Sequence, residues 1–183
     1  TLDNDVTTSI NSLLTEVRPL EKTEDDRDNP TTITTYSNAI ENQGDLTCVS
    51  QALRSRRSVR TYSQDKVDNA VLLEAIDDAL YSPSACNRQP WKIYDVRSEP
   101  LRDVVLEIQN NSAEWREIAG LLLVTVNKAY YSGARERKAA YIDGGLFCMS
   151  LILSLHSKSI STCPLNMNLS SRMLGRLRRR LDI

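Results

Sequence analysis

The chain has 183 residues, 40% of them hydrophobic and 26% charged, with a formal net charge of −1. This is the composition of one globular domain, or of one domain with an appendage, and not of a disordered or nucleic-acid-binding chain. No apolar run approaches the ~20 residues a bilayer requires, and no basic stretch leads into an apolar core at the start, so neither a membrane span nor a signal peptide is expected.

Charge is unevenly spread. Residues 1–48 carry ten acids and three bases, and residues 172–183 carry five arginines and one aspartate. Such a head and tail attract each other, within or between chains.

Val6, Ile10, Leu13, Leu14 and Val17 recur at helical spacing and predict a short helix over 5–17. Residues 21–45 are polar and acidic with Pro30, and read as a linker. The expected division is an acidic extension over 1–47, with that helix and linker, and a main domain over 48–183. A helix over 49–57 would deliver the arginines that follow. The clearest helix runs from Val67 to Tyr81, capped by Asp68 and stopped by Pro83, with Glu74, Asp77 and Asp78 facing water. A strand over 92–97, a helix over 101–109 and a buried strand over 120–127 follow. The long segment 136–157 predicts a helix, apolar on nearly all sides from Leu146 to Leu155, which a chain this small would bury at a subunit interface. A short strand over 159–163 precedes a last helix capped by Ser170, with Leu174, Leu177 and Leu181 on one face. The mixture defines an α+β domain.

Two segments are suited to a ligand. Arg56-Arg57-Ser58-Val59-Arg60 sets three guanidiniums and a hydroxyl in five residues, which suits a phosphate. Taken alone it is as well explained by a solvated basic patch at a helix end. Pro83 to Trp91 supplies small residues, prolines and the carboxamides of Asn87 and Gln89, which suit the polar edge of a planar heterocycle. Taken alone that segment reads as a turn into a strand, with Pro90 and Trp91 as core. One ligand with a phosphate and an amide-edged ring accounts for both, and flavin mononucleotide (FMN) is such a ligand.

Arg-Arg-Ser-x-Arg, a helix and Pro-Ser-Ala-x-Asn-x-Gln-Pro-Trp resemble the opening of the FMN-dependent nitroreductase family. Glu136-Arg137, Ala140 to Gly145 and Thr162-Cys163-Pro164-Leu165-Asn166 are similar to that family's central helix and flavin-facing loop. The resemblance covers about residues 50–183. It implies a central antiparallel or mixed sheet flanked by helices, a long buried helix at a homodimer interface, and FMN at that interface. It implies that Arg56, Arg57, Ser58 and Arg60 hold the phosphate, ribityl chain and pyrimidine side. Pro83, Ser84, Ala85, Asn87 and Gln89 would come from the opposite subunit. Cys163, Pro164, Leu165 and Asn166 would lie over flavin N5, with the Leu165 amide as the contact. The implied activity is an NAD(P)H oxidoreductase working in two half-reactions through N5, with a nitroaromatic or quinone acceptor and no protein acid or base. Dehalogenation, flavin breakdown, a non-catalytic flavin or nucleotide binder, and an interaction module using the charged ends are the alternatives. Family members usually continue with a further strand, a basic residue at the phosphate and an arm around the partner, so the C-terminal part is expected to be missing.

Several features are read as structural. The four cysteines (Cys48, Cys86, Cys148, Cys163) are widely spaced without Cys-x-x-Cys, and the one histidine is His156, which argues against zinc and for reduced thiols in a cytoplasmic protein. Nothing marks Cys86 as a nucleophile, since no histidine stands near it to act as its base. Gly144-Gly145 inside a helix suggests close helix approach across a dimer, since each glycine costs ~1 kcal/mol relative to alanine. Glu136 and Asp143 read as helix-surface charge. The arginines of 176–180 read as a solvated face, so no nucleic acid and no membrane partner is expected.

Overall fold

A computed structural model describes residues 14–17, 47–63, 65–109, 118–167 and 169–181. The linker expected over 21–45 lies outside the described residues. The elements in chain order are β1 (Leu14–Val17), α1 (Thr47–Ser55), α2 (Asn69–Leu80), β2 (Trp91–Val96), α3 (Glu99–Gln109), β3 (Leu122–Val126), α4 (Ala139–Ser157) and α5 (Ser171–Leu181).

Among the described residues one sheet forms, in the order β1-β2-β3 with both pairings antiparallel. β2 is central: Ile93 lies opposite Val17 on one side and Val124 on the other. Its side chains divide between two cores, as a strand's two faces dictate. Trp91 and Ile93 pack with Leu72, Ala75, Ile76 and Ala79 of α2 and Phe147, Leu151 and Leu155 of α4. Tyr94 and Val96 pack with Leu101, Val105 and Ile108 of α3 and Leu177 of α5. The result is an α+β layering with helices on both faces of the sheet.

α2 forms where the sequence says it should. Asp68 accepts a hydrogen bond from the Ala70 amide at 2.7 Å, capping the first turn. At the far end Ser82 is buried and its hydroxyl donates to the Ala79 carbonyl at 2.6 Å, just ahead of Pro83. α4 lies across α2. Lys158 reaches both Asp78 (2.9 Å) and Glu74 (3.1 Å), so these two acids bind the neighbouring helix as well as facing water. The Ser154 hydroxyl donates to Asp78 at 2.6 Å.

Three expectations are corrected. Residues 14–17 are a strand, not the end of a helix; Leu14 and Val17 fit either period, and pairing with β2 decides. The rest of the expected 5–17 helix lies outside the described residues. In place of a strand over 159–163 there is a single parallel bridge between Ser58 and Thr162. Gly144 serves contact within the chain: a Cβ there would sit 2.8 Å from Val126 Cγ2, so the glycine lets α4 approach β3. Gly145 faces open space. α4 with the turn before it (Ala134–Ser157) is long and apolar enough to cross a membrane by length and composition alone, a test that the core helix of a globular protein also passes. Its inner side carries Phe147, Leu151 and Leu155 into the core, while Ile142, Leu146 and Met149 remain exposed on the outer side.

Candidate functional site

The arginine segment leaves α1 in extended form. Its backbone is fastened by the Val59 amide, which donates to the Thr162 carbonyl at 3.1 Å, and by the Tyr62 hydroxyl, which donates to the Val59 carbonyl at 2.7 Å. These bonds bring Arg56 to Arg60 beside Thr162 to Asn166, so two of the three predicted blocks meet. Within the segment the arginines differ. Arg57 spends its guanidinium on the carbonyls of Arg54 (2.7 Å) and Arg56 (2.8 Å), and Arg60 reaches the Ser58 carbonyl at 3.4 Å. The guanidinium of half-buried Arg56 makes no hydrogen bond or ion pair with any described residue. It is the one best placed to receive an anion. Ser58, Cys163 and Leu165 are half-buried; Pro164 and Asn166 are exposed. The Asn166 carbonyl is tied to α3, accepting from Gln109 Nε2 at 3.0 Å. Burial pushes the Tyr62 phenol up, as does nearby Cys163.

The second block lies elsewhere. Ala85 to Asn87 form one tight turn, and three non-glycine residues there hold left-handed backbone: Cys86 (φ 52°), Asn87 (φ 50°) and Gln89 (φ 46°). Such angles are uncommon for side chains other than glycine and mark a loop held by its surroundings. Ser84 Oγ accepts from the Gln89 amide at 3.0 Å, and Gln89 Nε2 donates to Asn87 Oδ1 at 3.3 Å. Pro83, Asn87 and Gln89 are exposed, with Ser84 and Ala85 half-buried. Pro90 and Trp91 are core as expected, Trp91 stacking on Phe147 with centroids 4.8 Å apart.

The loop is held from the start of α4 by two acids that sequence reasoning assigns to the surface. Asp143 is buried; its Oδ2 accepts from the Ala85 amide at 3.0 Å and from the Tyr131 hydroxyl at 2.7 Å. Glu136 takes two hydrogen bonds from Arg88, at 2.9 and 3.1 Å, and one from the Ser132 amide at 2.7 Å. Arg88 above all, then Ser132, hold the Glu136 carboxyl down at about 2. Burial and the Asp143 hydrogen bond push the Tyr131 phenol up to about 12, so it remains a donor through the neutral range. Arg88 also lies over the Tyr131 ring, 5.8 Å from its centroid, and within 3.8 Å of the Cys86 sulfur. Cys86 therefore has a cationic neighbour, two residues along the chain, within reach of its sulfur. Helical spacing gives no signal for the pair, since Glu136 ends the turn before α4 and Asp143 lies within α4.

The two halves flank α4. The Ser84–Gln89 loop is bonded to its first turns. The arginine segment sits at its last turn, where Ser55 Oγ and His156 Nε2 are 2.8 Å apart and the Ile160 amide returns to the Leu155 carbonyl. Asp143 and His156 both belong to α4, and that separation along a helix is about 20 Å. A cavity of about 1110 Å³ opens beside Tyr62 and Ser161 to Leu165, but neither the arginines of 56–60 nor the 83–89 loop line it. Among the described residues no group of His, Cys, Asp and Glu could hold a metal ion.

The model of the nitroreductase family matches residues 53–119, the stretch that holds Arg56–Arg60 and the 83–89 loop. A 4-nitrobenzoate reductase of Pseudomonas putida is 24% identical over 60% of this chain and 68% of its own length. Three further curated relatives match over only 24% to 40% of their lengths. A nitroreductase family protein of Clostridium novyi superposes with a TM-score of 0.62 at 20% identity, covering 73% of this chain and 75% of that one. A protein of Desulfovibrio desulfuricans solved in complex with FMN superposes with a TM-score of 0.63 at 20% identity, covering 70% of this chain and 75% of that one. Residues 53–119 thus match the nitroreductase family model, and the described fold is that of solved nitroreductase-family proteins.

Proposed function

We propose that this protein is an FMN-dependent NAD(P)H oxidoreductase that reduces an electron-poor acceptor of nitroaromatic or quinone type. One observation carries the proposal: Arg56, whose guanidinium has no partner among the described residues, stands beside the open Thr162–Asn166 backbone, at the opposite end of α4 from the carboxamide-bearing loop. A single ligand reaches both sets only if they come from different copies. The exposed outer side of α4 (Ile142, Leu146, Met149 and the open Gly145) is the surface on which a second copy would pack, placing its loop against this chain's arginines. In this reading residues 48–183 form the flavin-binding domain, and the acidic extension over 1–47 precedes it.

The residues present fit FMN. Arg56 and Ser58 offer charge and a hydroxyl to the phosphate, with Arg57 and Arg60 adding positive potential while occupied by local carbonyls. The exposed Asn87 and Gln89 offer donors and acceptors to a pyrimidine edge. Cys163 to Asn166 present backbone, with Pro164 giving no N–H. FMN, when bound, supplies two-electron transfer between NAD(P)H and the acceptor. The chain's own residues bind and orient, and an arginine favours negative charge on the pyrimidine side.

The test is the visible spectrum of the purified protein with added FMN, for the wild type and for Arg56→Ala. Retained flavin bands that bleach on anaerobic NADH or NADPH support the proposal. The variant should bind FMN at least tenfold more weakly, and an unchanged affinity would sink the assignment of Arg56. A protein that never retains FMN favours the interaction-module reading.

A further inference from the structure

We propose that Asp143, seconded by Glu136, is a positioning residue: it fixes the Ser84–Gln89 loop in its left-handed form before any ligand arrives, and the ligand it serves rests on the flavin reading above. Three features carry this. The loop holds Cys86, Asn87 and Gln89 at positive φ, a conformation that persists only where neighbours over-determine it. Each end of the turn is tied to one acid at the same helix start, Ala85 through its amide to Asp143 and Arg88 through its guanidinium to Glu136. Asp143 is only 3% exposed, though nothing in the proposed chemistry requires a buried carboxylate there. A buried acid is retained at a cost in solvation, and here its two hydrogen bonds go to the loop and to Tyr131, whose ring lies under the Arg88 guanidinium of the same loop.

The physical consequence is preorganisation. Asn87 and Gln89 are exposed and one donates to the other, so their carboxamides are aimed by the backbone and not by core packing. If the loop were loose, a ligand would have to order it on arrival and would bind more weakly by that amount. Asp143 thus acts on the ligand through Ala85 and touches it nowhere itself. The bond between them couples the central helix to the loop without any intervening element.

The experiment uses the full-length chain with Asp143→Ala, Asp143→Asn and Glu136→Gln, read in two arms. The first arm is amide hydrogen exchange without ligand. Asp143→Ala should speed exchange across residues 84–89 at least tenfold, with α2 amides unchanged, and Asp143→Asn, which keeps an oxygen acceptor for Ala85, should recover part of the protection. Unchanged exchange in 84–89 overturns the proposal. The second arm is FMN affinity and the position of the flavin bands. Asp143→Ala should weaken binding at least tenfold and shift the bands, and wild-type values in a folded variant overturn the proposal. If Asp143→Ala fails to fold, Glu136→Gln decides, because Glu136 is only half-buried: faster exchange at 84–89 with weaker FMN binding supports the proposal, and no change in either overturns it. A wild type that binds no FMN sinks the flavin reading, while the exchange arm still decides whether Asp143 sets the loop.

Discussion

The two ends of α4 hold their loops by different physics. At the last turn the arginine segment is fastened mainly by backbone, through the Val59–Thr162 bond and the Ser58–Thr162 bridge, with the Tyr62 hydroxyl and the Ser55–His156 contact added. At the first turns the Ser84–Gln89 loop is fastened by side chains, through Asp143 and the Arg88–Glu136 pair. Backbone bonds tolerate changes of side chain and do not titrate. Side-chain clamps concentrate the hold in a few atoms, so single substitutions or a change of pH can release them. One helix therefore carries a robust fixture at one end and a sensitive one at the other.

The largest expected effect removes the difference altogether. Phe147 is fully buried between the two ends and stacks on Trp91. Phe147→Ala should cost about 3–5 kcal/mol, measured by urea unfolding, and loosen both loops together. Gly144→Val is next. Its new side chain would meet stiff Val126 Cγ2 and push α4 from β3, for about 1–3 kcal/mol in the same measurement.

Acid should separate the two ends. Glu136 is held at about 2 against an ordinary 4.5, so its folded value is depressed. The stabilisation it brings is present in full above its unfolded value and is lost as pH falls through about 2. NMR titration should show the Ser132 and Arg88 amides shifting over that range while the Val59 amide stays put. Simultaneous movement of both would show that the ends are not independent. The smallest effect belongs to the arginine end: His156→Ala removes the contact with Ser55 and should cost about 0.5 kcal/mol, leaving the 84–89 amides unaffected.

Legibility in the sequence follows the range of the interactions. α2 is readable to within two residues at either end, because Asp68, the apolar period and Pro83 are all local. The phosphate-like and carboxamide segments are readable because their residue types are unusual and close together. The role of Asp143 is not, since its partner Ala85 is 58 residues away and an acid near the start of a helix has an ordinary local explanation. Leu14 to Val17 mislead for the same reason: only the β2 edge makes them a strand. Gly144 is legible as a close approach, but which neighbour it admits is a matter of tertiary placement.

The left-handed trio at Cys86, Asn87 and Gln89 also limits what inheritance can write there. Asparagine and glycine enter that backbone region most cheaply, and β-branched residues are nearly barred from it. Cys86 can drift to Gly or Asn, whereas Val or Ile would be purged although no chemistry at the ligand is lost. In lineages descended from this chain, a narrow alphabet is therefore expected even at Cys86, whose side chain has no assigned contact with the ligand.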